Sequence, residues 1–408
     1  MNAKVGPLAI SALLAVPTPG ASNVPMGIFL VFLSLPGIIR LSSAKLTKML
    51  STLSKFALPA LISGYLLGFI SLQQDPGRAI DGHKYLFGTG LVISLVLGTF
   101  GILYAIEQIG TKRVVIAYSI CRIFLVLLSW NSSAIAHLVG VDRLHENPWK
   151  YGLSDFVILI ILVSLNNVGL TRISLVACIF ISVFLDSRTT LAICFILLLK
   201  TFWRRKVDNP PREYKHKIIL FLTSMVLAFT ILPTMFNIVA GSGILGNQVK
   251  VKTLSQERVT SNALLAGRPE QLAALALFKK YPFGFGIGVV PSSTDYFVAI
   301  SNLPVVSGLQ ANSTVASYFK IDGRYSFHSY LWDFWALYGL FGLGLIIFYI
   351  YNSFSELMNF RCHSLLLTFV TLNAIWDLLF SPPLMHQTLI LFALAISNYG
   401  KVESASDH

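Results

Sequence analysis

Long apolar runs separated by short polar stretches make up most of the chain. About 20 apolar residues form a helix that crosses a bilayer core, and shorter runs suffice where the bilayer thins. The pattern therefore predicts about twelve membrane spans. They are Val5–Pro19, Met26–Ile39, Phe56–Leu72, Tyr85–Ile106, Val114–Trp130, Phe156–Leu170, Ile173–Leu185, Thr189–Trp203, Ile218–Ile231, Tyr330–Tyr351, Ser364–Phe380 and Gln387–Asn398. The first and seventh are short enough to be half-helices.

Composition supports the same class of protein. Hydrophobic residues make up 55% of the chain, mean hydropathy is +0.71, and only 12% of residues are charged, against about 25% in soluble domains. A soluble fold cannot cover that much apolar surface, which excludes a soluble enzyme, a disordered chain and a DNA-binding domain. We predict an all-α polytopic membrane protein.

The net charge of +13 indicates membrane topology rather than a nucleic-acid partner. Most Lys and Arg lie in alternate short loops between apolar runs, and the densest cluster falls in residues 200–217. Cytoplasmic loops of membrane proteins carry such an excess. The pattern predicts that both termini are cytoplasmic.

One long polar segment interrupts the apolar pattern and divides the chain. We expect an N-terminal transmembrane bundle in 1–235, a large extracytoplasmic loop in 236–329 and a C-terminal bundle in 330–408. Loops of this length are usually functional. Within the loop, apolar spacing after a proline predicts a helix over Pro269–Lys280. A tight glycine turn is expected next, and then an irregular stretch, Val290–Lys320.

Charged residues within or beside the spans are costly in lipid and often functional. Asp333 lies near the outer end of its predicted helix and is a candidate base. Asp377 is either a helix-packing hydrogen-bonding residue or a cavity residue. Glu107 and Arg122 border or enter neighbouring spans, and we expect them to form an ion pair inside the bundle.

Five short motifs surround the long loop in a fixed order. They are Asp186-Ser187-Arg188-Thr189, Arg268-Pro269-Glu270, Tyr281-Pro282-Phe283-Gly284-Phe285-Gly286-Ile287-Gly288, Phe327-His328-Ser329-Tyr330-Leu331 and Gly339-Leu340-Phe341-Gly342. In these features the chain resembles the O-antigen ligase and O-antigen polymerase superfamily of lipid-linked glycan transferases, over about residues 155–400. In that family an Arg opens an outer-loop helix, and a glycine turn and a His motif follow.

The resemblance implies a metal-independent glycosyltransferase of the bacterial inner membrane, with its long loop in the periplasm and no cofactor. The donor would be a glycan linked to undecaprenyl diphosphate, and membrane lipid, a chain-length regulator and a flippase would be partners. Ser329 stands where the ligase-type motif often has Asn. This favours a polysaccharide polymerase over a ligase that uses lipid A-core, although both share the pattern.

The chemistry of such a transfer indicates which residues to examine. A diphosphate leaving group needs positive charge where negative charge develops, and arginine binds phosphate oxygens with a planar fork. The arginines on the predicted outer face are Arg268, Arg188, Arg258 and Arg324. His328, where the loop meets the membrane, would orient or deprotonate the acceptor hydroxyl, and Asp333 is the alternative base.

Metal-dependent chemistry and transport both agree less well with the sequence. No metal-binding motif and no P-loop occur in the sequence, in agreement with metal-independent transfer from a lipid donor. A polysaccharide or lipid transporter would have charges deep in its spans, inverted repeats and short loops. The sequence has few mid-span charges, no visible repeat and one long loop, so the transferase is favoured.

Overall fold

The structure is a computed structural model. It describes residues 5–18, 21–130, 147–202, 223, 230–232, 234–244, 246–257, 269–301, 327, 329–358, 364–381 and 389–396. Nearly all of them are helical, and the described strands form two short two-stranded ribbons. The predicted all-α class is therefore confirmed.

The described part of residues 1–130 contains five helices, a short ribbon and a strand of the second ribbon. These are α1 (Val5–Leu13), β1 (Pro17–Thr18), β2 (Ala21–Pro25), α2 (Met26–Leu41), α3 (Ala44–Gln74), β3 (Ala79–Ile80), α4 (Gly82–Ile109) and α5 (Thr111–Trp130). A π-helical turn, Trp149–Leu153, leads into α6 (Ser154–Ser164), α7 (Val168–Phe184) and α8 (Arg188–Phe202).

The remaining elements are mostly short helices, with one long helix, α13, among them. They are α9 (Thr230–Ser242), α10 (Asn247–Glu257), α11 (Pro269–Lys280), β4 (Val289–Val290), α12 (Ser293–Ser301), α13 (Tyr330–Met358), α14 (Leu365–Phe380) and α15 (389–396). The helix predicted at Pro269–Lys280 is confirmed as α11.

Three helices within the described residues are long and apolar enough to cross a membrane: Leu46–Gln74 in α3, Gly82–Ile109 in α4 and Tyr330–Ser355 in α13. Shorter apolar helices accompany them, among them α2, α6, α7 and α14. Helix α4 is the most enclosed of the three, because α1, α2, α3 and α5 all pack on it. The chain thus combines an all-helical fold with helices suited to a bilayer.

Two of the differences between the helix boundaries and the predicted spans concern the short spans. Helix α1 ends at Leu13, and its nine residues extend only about 14 Å. The chain breaks at Leu165–Asn167, earlier than predicted, so α6 rather than α7 is the short member of the pair. Asn167 explains the break, because its side-chain oxygen accepts hydrogen bonds from the N–H groups of Gly169 and Leu170 and caps α7.

The stretch predicted to be irregular after Val290 contains helix α12, so that prediction is wrong for residues 293–301. Ser292 Oγ accepts from Asp295 N at 3.3 Å, and Asp295 Oδ2 accepts from Ser292 N at 3.0 Å. This reciprocal pair is a capping box, which starts a helix in a polar sequence. Residues 302–320 lie outside the described part of the chain.

The predicted ion pair between Glu107 and Arg122 is wrong. Arg122 Nη1 instead donates to the carbonyl oxygen of Ala15 at 3.2 Å, and its guanidinium lies 6.0 Å from the ring centre of Phe156. Glu107 Oε2 is buried with no hydrogen-bond partner among the described residues. The end of α1 leaves carbonyls such as that of Ala15 without helical partners, so they attract the arginine.

Candidate functional site

The glycine turn Phe283–Gly288 is inserted between three membrane-type helices and is held by backbone hydrogen bonds. Phe285 N and Gly286 N both donate to Ala336 O of α13, at 2.8 and 3.0 Å, and Ile287 N donates to Gly64 O of α3 at 2.9 Å. Ser71 Oγ of α3 donates to Phe285 O at 2.5 Å. Because these N–H groups are already bonded, the turn anchors the loop segment and is not a phosphate cradle.

The turn fits against a break in helix α13. Gly339 has φ 63° and ψ −146°, which interrupts the helix. The break leaves the Ala336 carbonyl oxygen without its helical N–H donor, and this oxygen instead accepts the two N–H groups of the turn. In apolar surroundings a backbone carbonyl needs such a replacement donor. At Gly286, φ is 106° and an added Cβ would collide with the backbone of Gly68. Only glycine allows this close approach.

A buried ion pair closes the region above the turn. Arg78, between α3 and α4, donates from Nε to Asp295 Oδ2 at 2.9 Å and from Nη2 to Asp295 Oδ1 at 2.7 Å. The side chains are 1% and 0% exposed. The guanidinium also lies 4.7 Å from the ring centre of Tyr281 and 5.0 Å from that of Phe285. The sequence gives no sign of this pair, because 217 residues separate its two members.

Two further contacts join the α3–α4 connection to the loop segment. Strands β3 and β4 pair antiparallel, with Ala79 opposite Val290. Ser292 Oγ donates to Asp75 Oδ2 at 2.6 Å. This hydrogen bond, and a second from Gly77 N, lower the pKa of Asp75 below its usual 3.8. The loop segment is thus fixed to one end of the bundle, where α3 ends and α4 and α13 begin, which we call the loop end.

Asp333 holds the chain segment that precedes α13. Its Oδ1 accepts from Phe327 N at 2.6 Å, and its own N–H donates to Ser329 O at 2.8 Å. Gln271 Nε2 of α11 donates to Phe327 O at 3.4 Å. Phe327 and Ser329 are fully buried, and Asp333 is nearly so. Phe327 and Ser329 are therefore held between α11 and the first turn of α13.

A second carboxylate lies close to this segment. Asp377 of α14, which packs against α13, lies within electrostatic range of the Tyr330 side chain. Asp377 Oδ1 also accepts from Ser381 Oγ at 2.7 Å. Glu270, at the start of α11, is buried as well. Two buried carboxylates, Asp333 and Asp377, thus lie near the start of α13.

Arg188 is the first residue of α8 and joins three neighbouring segments. Nε donates to Asp186 Oδ1 at 3.3 Å, Nη1 to Asn237 Oδ1 at 2.8 Å and Nη2 to Thr253 Oγ1 at 3.3 Å. The guanidinium lies 4.7 Å from the ring centre of Phe236. Asn237 and Thr253 are buried, whereas 24% of the Arg188 side chain is exposed. The arginine is held firmly but still reaches the surface.

The helix directions show that Arg188 also lies at the loop end. Lys200 Nζ, near the end of α8, contacts Thr368 Oγ1 in the first turn of α14. Asp377, near the end of α14, lies close to Tyr330 at the start of α13. The start of α8 and the start of α13 must therefore share the opposite end of these helices. Arg188 is about 18 Å along α8 from Lys200.

The structure describes two of the six predicted site residues, Arg188 and Asp333. They lie at the same end of the bundle, but the hydrogen bonds described for them have different partners. The other four lie outside the described residues, so their convergence with Arg188 and Asp333 stays a prediction. These four are Arg258, Arg268, Arg324 and His328.

Comparison with known proteins adds no assignment. The chain matches no protein-family model, no curated protein and no solved structure. Within the described residues, no group of three or more His, Cys, Asp or Glu side chains is arranged to hold a metal ion. The function is therefore inferred from the residues and contacts given above.

Proposed function

We propose that the protein is a polysaccharide polymerase of the bacterial inner membrane. It moves a glycan from undecaprenyl diphosphate to the acceptor sugar of a lipid-linked repeat unit. In this proposal the chain crosses the bilayer about twelve times, and the loop end is extracytoplasmic. The reaction needs no metal ion.

One observation carries the proposal: a partly exposed, firmly held arginine and two buried carboxylates, Asp333 and Asp377, occupy the same end of an apolar helical bundle. Arg188 presents a planar fork of N–H donors at the loop end, where the diphosphate of a lipid donor would lie in the proposed topology. Such a fork binds phosphate oxygens and remains protonated. The donor's hydrocarbon chain would lie along the apolar helix faces.

The transfer forms one bond and breaks one. The acceptor hydroxyl oxygen attacks the anomeric carbon of the donor sugar, the bond from that carbon to the phosphate oxygen breaks, and lipid diphosphate leaves with the electron pair. The hydroxyl proton goes to a base, for which His328 is the candidate. Arg188 and the predicted loop arginines stabilise the charge that develops on the leaving group.

Asp333 acts in this scheme as a positioning residue. Its carboxylate oxygen receives the Phe327 N–H at 2.6 Å, so it fixes the backbone on one side of His328. Asp333 is only 4% exposed, and one of its carboxylate oxygens is already engaged by this N–H. An acceptor hydroxyl would reach it with difficulty, which favours His328 over Asp333 as the group that takes the proton.

The test uses cells in which the gene is deleted and then complemented with variants, with surface glycans separated on a gel. Asp333→Asn keeps an oxygen that accepts from Phe327 N, whereas Asp333→Ala removes it. We expect long chains to be retained with Asn and reduced about tenfold or more with Ala, as is typical when a buried hydrogen bond is lost near a reacting group. Asp81→Asn, on an exposed loop-end carboxylate, is the control.

Each pattern on the gel has a separate meaning. Single repeats without long chains support the polymerase. Lipid-linked polymer that fails to reach lipid A-core indicates the ligase instead, and repeat units confined to the cytoplasmic leaflet indicate a transporter. Equal loss of activity with Asn and with Ala would reject the positioning role and make Asp333 the base.

A further inference from the structure

A second cation lies beside Arg188 and was not among the predicted site residues. Lys150 Nζ is 3.7 Å from Asp186 Oδ2, and Arg188 Nε is 3.3 Å from Asp186 Oδ1. One carboxylate is thus placed between two cations. The three side chains are 30%, 24% and 12% exposed for Lys150, Arg188 and Asp186. Together these three side chains carry a formal charge of +1, and each of them is partly exposed.

The backbone on both sides of the cluster is unusual and well supported. Lys150 belongs to the π-helical turn Trp149–Leu153, a feature that is frequent at functional sites. Trp149 Nε1 donates to Ser182 Oγ at 3.0 Å and fixes this turn to α7. Asp186 has φ 47°, and no other described non-glycine residue has a positive φ. Strained residues persist where the surrounding structure enforces them.

Arg188 has capacity for a further acceptor. A guanidinium has five N–H groups, and three of them bond to Asp186, Asn237 and Thr253. For the other two, no acceptor is found in the part of the chain that the structure describes. Because Asn237 and Thr253 hold the fork from the buried side, these donors are oriented in advance for a ligand.

The charge arrangement selects the class of ligand. Asp186 is tethered beside both cations, so an ordinary carboxylate in solution competes poorly with it. A phosphate ester has more negative charge and three acceptor oxygens, so it gains more from Lys150 and Arg188 together. We propose that Lys150, Arg188 and Asp186 form a phosphate site in which the ligand phosphate replaces Asp186 between the two cations.

This inference rests on the proposed function only for the carrier of the phosphate, which would be the lipid diphosphate donor. Lys150 then binds the donor together with Arg188. Asp186 holds the two cations in place while the site is empty, and releases them when the donor arrives. A soluble phosphate compound would meet the same side chains, so the experiment distinguishes the two sources.

Binding is measured on the purified full chain in nanodiscs of phosphatidylcholine, with labelled farnesyl diphosphate and with labelled pyrophosphate. Lys150→Gln should weaken farnesyl diphosphate binding about tenfold, and Lys150→Arg should restore most of it. Asp186→Asn should strengthen binding about tenfold, because it removes the competing charge. Asn also tolerates positive φ, so this variant keeps the backbone.

A matched lysine provides the control. Lys84 Nζ lies 3.4 Å from Asp81 Oδ2 at the same end of the bundle, and Lys84→Gln should leave binding unchanged. Opposite effects of Lys150→Gln and Asp186→Asn support the exchange. Weaker binding in both variants would mean that the cluster is only structural and would overturn the proposal.

The two probes separate this inference from the proposed function. Farnesyl diphosphate binding at least about tenfold tighter than pyrophosphate binding assigns the site to a lipid donor, and equal affinities overturn that assignment. If the variants respond as expected but deletion of the gene leaves surface glycans intact, the site stands and the polymerase fails. If glycan chains depend on Asp333 but Lys150→Gln binds normally, the polymerase stands and the site fails.

Discussion

The two arginine–aspartate pairs at the loop end differ in how much of their bonding capacity remains. Arg78 and Asp295 make two hydrogen bonds to each other, between the rings of Tyr281 and Phe285, and are almost fully buried. Arg188 and Asp186 make one longer bond and are partly exposed. The first pair is inaccessible to a ligand because it is buried, whereas the second is partly exposed and can exchange partners.

This difference shows why an arginine near an aspartate is not sufficient to mark a binding site. A buried pair is destabilised strongly if one partner is lost, since the other charge remains without water. A partly exposed pair is screened and can be rearranged at small cost. We therefore assign Arg78 to the stability of the loop segment and Arg188 to function.

The largest expected effect comes from breaking the closed pair. Arg78→Ala leaves Asp295 charged and buried, and should lower the free energy of unfolding by about 3–5 kcal/mol. The measurement is unfolding from mixed micelles by increasing SDS. The double variant Arg78→Met with Asp295→Asn should recover most of the loss, because it leaves no buried charge and keeps an oxygen that accepts from Ser292 N. No recovery would mean that the stacking on Tyr281 and Phe285 matters more than the charge.

The next largest effect concerns the glycine turn beneath that pair. Gly286→Ala should cost about 3 kcal/mol, since the new Cβ meets the Gly68 backbone at a positive φ. Gly246 has a similar φ of 98° but no atom within 4 Å of an added Cβ. Gly246→Ala should therefore cost only about 1 kcal/mol from backbone strain. Equal costs would show that the tight approach to α3 is not a constraint.

The smallest effect on stability is expected at the open pair. Arg188→Gln should lower the free energy of unfolding by only about 1 kcal/mol, because Gln still donates to one of the buried acceptors. Long glycan chains should nevertheless be lost on the gel, since the fork is gone. A loss of stability as large as that of Arg78→Ala would make Arg188 a structural residue and remove the contrast between the two pairs.

The sequence predicted helices correctly where the signals that start and end them lie within the same short segment. Pro269–Lys280 is a helix because its proline, apolar spacing and following Tyr281-Pro282 all agree. Helix α12 was missed because it was grouped with the irregular stretch that follows it, although the capping box of Ser292 and Asp295 marks its start. The break at Asn167 was misplaced for the same reason, since its signal is a single capping side chain.

The partners of charged residues did not follow from the sequence. Arg122 was paired with Glu107 on proximity along neighbouring spans, but it bonds a carbonyl left without a partner at the end of α1. Arg78 is matched with Asp295, 217 residues away. Lys150 was not among the predicted site residues, although its position in a π-helical turn places it beside Asp186.

The sequence alone determined the class of protein, because hydropathy and composition are sums over residues and do not depend on which residues meet. It also determined the helix at Pro269–Lys280 and the tight turn of the glycines, which depend on neighbours along the chain. Only the tertiary structure decided that Arg78 is buried in a complete ion pair and that Arg188 is partly exposed. That distinction depends on burial and on partners brought together from distant segments. The residue type alone does not show whether an arginine is buried between two rings or exposed at the surface.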